Sequence, residues 1–225
     1  MTNRLPLILV ALIAIVTLIS WIGDVYGLGM VNLLSADGIR WAVSSVVHNV
    51  EGAPVVQIVM AVIAIGATVD SGLVPAIVTR RMSLKQRRAL IISSAVLLVC
   101  IVSICAMSIF PQSVLRSAFG TLDHSPLSQG IFALSMVTIV VTANFYGFAS
   151  GRFVNLADTI KGNTAMLAHV SPCFVSLIIA AQLVACVRYT CMFDVIGVGL
   201  TIRVIITYTL YILPFVHEIW KYIRR

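Results

Sequence analysis

Charge is scarce in this sequence. Its 225 residues include 15 Lys and Arg and 8 Asp and Glu, so charged residues reach only 10%, where a soluble domain carries about a quarter. No polar stretch is long enough to fold as a soluble domain beside the apolar ones. Cysteine is sparse too. Cys100, Cys105, Cys173, Cys186 and Cys191 form no CxxC pair, and no histidine stands at metal-ligand spacing from them. They read as small buried hydrophobes, not as a disulfide frame or a metal site. Walker A, Gly-X-Ser-X-Gly and HExxH sequences are all missing, as is any paired catalytic constellation. An ATP-driven pump within this chain is excluded at the level of motifs, and no enzyme activity or cofactor is expected. These absences exclude a soluble enzyme, a disordered protein and a nucleic-acid-binding domain.

What remains is apolar. Hydrophobic residues make up 60% of the chain and the mean hydropathy is +1.06. Six apolar runs stand out, over about 5–22, 54–79, 90–110, 127–148, 168–187 and 195–220. A bilayer core takes roughly 20 helical residues, so each run suffices. None shows the strict alternation of a barrel strand, and backbone polar groups in lipid then require helices. The fold class is an all-α polytopic membrane helix bundle forming a single transmembrane domain. The first run could be a signal peptide, but Ser20-Trp21-Ile22-Gly23 is a poor cleavage site and the run reads as a retained span.

Charge position sets the orientation. One set of span ends carries Arg4, Arg80, Arg81, Lys85, Arg87, Arg88, Arg152, Lys161, Lys221, Arg224 and Arg225, whereas the opposite set carries only Arg40, Arg116 and Arg188. The positive-inside rule therefore predicts both termini on the cytoplasmic side. The net charge of +7 is mostly this topology signal, with contact to anionic headgroups, and not a nucleic-acid footprint. Two connections look helical. Ser35 to His48 begins with a Ser cap and an early Asp37, and Ile39, Val43, Val46 and Val47 fall at helical spacing, which predicts a short outer interfacial helix. Arg152 to Met166 predicts an inner one, with Phe153, Leu156, Ala157 and Ile160 on one face.

Polar residues inside the runs are the candidate transport or coupling groups. Asp70, with Ser71 and Gly72 beside it, lies about 24 Å along the second run, toward its inner end. It suits proton or cation coupling, since intramembrane acids are costly and often functional. The simpler and favoured reading is a helix end paired with Arg80, Arg81 or nearby backbone. Arg203 lies about 12 Å below the outer surface, where it could hold an anion bidentately or pair with Asp194 or Glu51. Thr142, Asn144 and Tyr146 near the inner end of the fourth span suit helix–helix hydrogen bonds or an inner vestibule. Gln182 needs a partner across the bundle. Ser171-Pro172 is placed in the first turn of the fifth span, where Pro is tolerated, and Pro214 is placed to kink the last. His48, His124, His169 and His217 are scattered near boundaries and predict no metal site.

Two stretches carry a family resemblance. The first is Leu33-Leu34-Ser35-Ala36-Asp37-Gly38-Ile39-Arg40-Trp41, with Val46-Val47-His48-Asn49-Val50 and Val69-Asp70-Ser71-Gly72-Leu73. The second is Asn144-Phe145-Tyr146-Gly147-Phe148-Ala149-Ser150-Gly151, with Asp158 and Ala180-Ala181-Gln182-Leu183. In order and spacing they resemble the p-aminobenzoyl-glutamate transporter (AbgT) family, including its acidic-Ser-Gly-Leu segment at the end of the second helix. The resemblance implies a homodimer in a bacterial inner membrane and cation-driven movement of p-aminobenzoyl-glutamate, related folate fragments or antifolates. It also implies re-entrant hairpins with Asn-X-Ala-Ser-Asp-Ala-Gly and Gly-Ser-Ala-Ser-Ala-Lys stretches, and these 225 residues contain neither. The expectation is therefore the framework of such a transporter, or one part of a composite with a second membrane subunit. A non-transporting scaffold and a small homo-oligomeric carrier or channel are the alternatives.

Overall fold

The computed structural model describes residues 4–78, 83–109 and 125–224. Among them there are helices and no strands. In chain order these are α1 (Leu5–Val25), α2 (Ala36–Ser44), α3 (Val46–Glu51), α4 (Val55–Asp70), α5 (Leu73–Val78), α6 (Leu84–Ile109), α7 (Pro126–Ser150), α8 (Leu156–Tyr189), α9 (Met192–Val195) and α10 (Leu200–Ile223). Helices α1, α6, α7, α8 and α10 are each long and apolar enough to cross a membrane, and α4 is a shorter apolar helix. The chain is a polytopic membrane helix bundle. Large apolar side chains on the outer faces, such as Leu7, Leu98, Ile131 and Ile205, suit lipid contact.

The helices gather into two compact units, one from residues up to Val55 together with those from His169 onward, the other from Val56–Ala168. In the second unit α6 packs along α7. Ser93 Oγ donates to Thr142 O across that interface at 3.2 Å. Below it, Ala76, Ala89 and the buried ring of Tyr146 form a small core, flanked by Leu73, Leu90 and Ala149. Helix α4 meets the first turns of α8 through small residues. A Cβ at Gly66 would come within 2.8 Å of Met166 Cβ, so glycine there lets the two backbones approach.

In the first unit the segment after α1 folds back on it. Met30 lies over Gly23, and Leu33 N donates to the buried Ser20 Oγ at 3.2 Å. Ser35 caps α2 as its sequence predicts, accepting from Gly38 N at 3.0 Å. The segment expected to form one outer interfacial helix is two helices. Ser45 ends α2 and opens α3, with the non-helical angles φ −95° and ψ 4°.

Two spans also differ from the sequence-based expectation. The second run is not one helix: α4 stops at Asp70, and α5 begins three residues later. The expected inner interfacial helix and fifth span are continuous as α8, a helix of 34 residues. Its start lies at Leu156, where Asp158 Oδ2 accepts from Val154 N and Asn155 N at 3.1 and 3.2 Å and stabilises the first turn. Pro172 therefore sits inside a helix and not in its first turn. The expected end of the third span at Phe110-Pro111, and Arg80, Arg81, Arg116 and His124, lie outside the described residues.

Candidate functional site

The interruption between α4 and α5 lies within an apolar run. A continued helix would need an N–H from Pro75 for the Ser71 carbonyl, and proline has none to give. The chain instead turns at Gly72, with φ +81°, a conformation that L side chains rarely adopt. Pro75 then falls in the first turn of α5, where a missing N–H costs nothing. Ser71 is fully buried. Its hydroxyl donates to Thr68 O at 3.2 Å and accepts from Leu73 N at 3.4 Å, holding the turn from both sides. Asp70 is the last residue of α4 and is partly buried. It faces the start of α8, where a Cβ at Gly162 would lie 3.5 Å from Asp70 Cβ.

The end of α7 completes the surroundings. Gly151 takes the left-handed conformation, φ +77°, and the N–H groups of Arg152 and Phe153 both return to Gly147 O, at 2.9 and 3.1 Å. This turn drives the Phe153 ring between Gly147 and Gly162, which have no side chains to exclude it. It also lays the Arg152 guanidinium over Gly72, so that a Cβ there would come within 2.6 Å of Nη1. Lys85 reaches Gly151 in the same way. Gly147 and Gly151, which share the four-residue spacing of a helix-dimer motif, thus serve the chain's own turn. In the same unit the side-chain oxygens Asn144 Oδ1 and Asn163 Oδ1 are buried and accept no hydrogen bond. A carboxylate at a helix end and a guanidinium over the break offer an acceptor and a donor at one turn, and the two unanswered amide oxygens can accept from water or a cation.

The other predicted residues go elsewhere. Thr142 Oγ1 donates to Thr138 O at 2.7 Å, and Tyr146 belongs to the core. Gln182 finds the cross-bundle partner that its depth demands. Its Oε1 accepts from Asn49 Nδ2 at 3.0 Å and its Nε2 donates to Ala42 O at 3.3 Å, while Trp41 stacks on Tyr189 with ring centroids 4.1 Å apart. The short helices α2 and α3 are thereby fastened to α8. Gln182→Leu is expected to cost about 1–2 kcal/mol, because Asn49 is left unanswered. It should free Trp41 from Tyr189, seen as a shift in tryptophan emission on heating below the unfolding temperature. Arg203 binds its own loop, through Asp194 Oδ1 at 2.6 Å, Val198 O at 2.7 Å and Phe193 O at 3.2 Å.

Sequence reading passed over Glu218. Its carboxylate is nearly buried on α10, with His217 Nδ1 at 3.2 Å, Lys221 Nζ at 3.1 Å and His169 Nε2 at 3.4 Å. The signal was present in the spacing of His217, Glu218 and Lys221. His169, however, arrives from another helix, which no local pattern reveals. Among the described residues no group of three or more His, Cys, Asp or Glu side chains could hold a metal ion.

The model of the AbgT transporter family matches residues 77–210, more than half of the sequence. The chain belongs to the AbgT transporter family. The matched span contains α6 to α9 and the first part of α10, hence the turn at Gly151, Asn144 and Gln182. The earlier stretch with Asp70-Ser71-Gly72 lies before it. No curated protein and no solved structure matches this AbgT-family chain.

Proposed function

We propose that this chain is one part of an AbgT-type secondary transporter, and that its own contribution to the pathway is the polar break at Asp70-Ser71-Gly72. The observation that carries this reading is the interruption of an apolar helix at an acidic residue. Broken helices with charged or backbone groups at the break are how secondary transporters build sites within the bilayer. The hairpin stretches that the family resemblance implies are absent from the 225 residues, so the re-entrant part comes from a second membrane subunit or segment. The substrate class is that of the family resemblance, p-aminobenzoyl-glutamate or related folate fragments and antifolates, driven by a cation gradient. The distribution of Lys and Arg supports both termini in the cytoplasm, and the family resemblance implies a bacterial inner membrane as the site. Two copies of the chain are the expected assembly, and we assign it no enzymatic role.

A tagged chain at native expression, purified in mild detergent and weighed as an intact complex, tests the composite. A second membrane protein in stoichiometric amount is the expected result. A complex whose whole mass is this chain contradicts it and confines any transport to these helices.

A further inference from the structure

A cavity of about 100 Å³ opens between α3, the end of α8 and α10 in the first unit. That volume holds about three waters, or one carboxylate group on a short stem. Arg188 and the buried Tyr211 line it, with His48 and Asn49 on α3 and an apolar wall of Ala181 and Val184.

Arg188 is exposed, and its guanidinium has no acidic partner. Arg40 and Arg203 are answered by Asp37 and Asp194, but among the described residues no carboxylate lies within 4 Å of Arg188. Nor is Arg188 used to close its own helix. Thr190 N takes Cys186 O at 3.0 Å, Thr190 Oγ1 takes Val187 O at 3.1 Å and Cys191 N takes Arg188 O at 3.2 Å, so the last carbonyls of α8 are already satisfied. Tyr211 is only 4% exposed as a residue, and its hydroxyl makes no hydrogen bond to another described residue. An exposed arginine with no acidic partner and a buried tyrosine thus line one cavity, and the guanidinium is a charged planar fork suited to an anion with two oxygens. Glu51 is the nearby opposing charge, 3.7 Å from His48 Nδ1, but it is largely exposed and its field is screened by water and salt.

We propose that this cavity binds a carboxylate group, held in a fork by Arg188 and by the hydroxyl of Tyr211, with its short aliphatic stem against Ala181 and Val184. The site lies in the other unit from the break at Gly72 and does not depend on the transport reading.

The test is saturable binding of labelled propionate to the full chain in phosphatidylcholine nanodiscs. Wild type is expected to bind. Arg188→Gln and Tyr211→Phe are each expected to weaken binding about tenfold or more, the effect of losing one hydrogen bond to a charged group. Tyr211→Phe keeps the ring and hence the packing of α10, and tryptophan emission from the Trp41–Tyr189 stack reports the fold in both variants. Unchanged affinity in either folded variant, or no saturable binding by wild type, overturns the proposal. So does loss of propionate binding through Arg188 when phosphatidylglycerol replaces phosphatidylcholine, which would assign the site to a lipid phosphate.

Discussion

Gly147→Ala is expected to destabilise the protein by about 1–3 kcal/mol, the usual cost of forcing extra atoms into a packed site. The added Cβ would overlap the Phe153 ring, which fills the gap between Gly147 and Gly162. Phe153 cannot retreat cheaply. Its backbone N–H is bound to Gly147 O, and Gly151 holds the turn in a left-handed conformation. Gly130 in the same helix provides the comparison, because a Cβ there meets nothing within 4 Å. Gly130→Ala should gain up to about 1 kcal/mol from helix propensity alone. Midpoints of thermal loss of the folded peak on size exclusion in detergent measure both. Equal midpoints for the two variants would show that the turn at the end of α7 is not packed as described.

Asp70→Asn is expected to reduce substrate flux about tenfold or more at an unchanged membrane level, which is a loss of at least about 1.4 kcal/mol. The amide keeps the size of the side chain and its place against Gly162, so the fold should survive. What it removes is the charge and the ability to exchange a proton. Asp70→Glu keeps both and should restore part of the flux, whereas a residue that only closes α4 would tolerate asparagine as well as glutamate. Full flux with Asp70→Asn would leave the break a structural turn.

The membrane fold was legible because hydropathy and chain length alone decide it. Runs of about 20 apolar residues with few charges leave the backbone no alternative to helix. Ser35 as a cap and Gln182 as a residue in need of a cross-bundle partner were legible for the same local reason, since each side chain carries a demand that must be met nearby. The break at Gly72 was harder, because the apolar run resumes directly after Asp70-Ser71-Gly72 and continues to Val78. Asp70 suits a helix end, but the turn itself is marked by Gly72 and Pro75, through torsion angles and a missing donor. Hydropathy divides the 34 residues of α8 in two because the apolar run begins only at about Ala168, whereas the hydrogen bonds at Asp158 begin the helix earlier. The packing of Phe153 on two glycines, and of His169 on Glu218, joins residues from separate stretches, and no periodicity within one segment points to a partner on another.

The most direct measurement is flux of labelled p-aminobenzoyl-glutamate across the membrane of cells that make the chain at native level, compared with cells lacking it. The account predicts a flux that depends on the chain and collapses when an ionophore dissipates the cation gradient. Equal flux with and without the chain, under the same gradient, would contradict it.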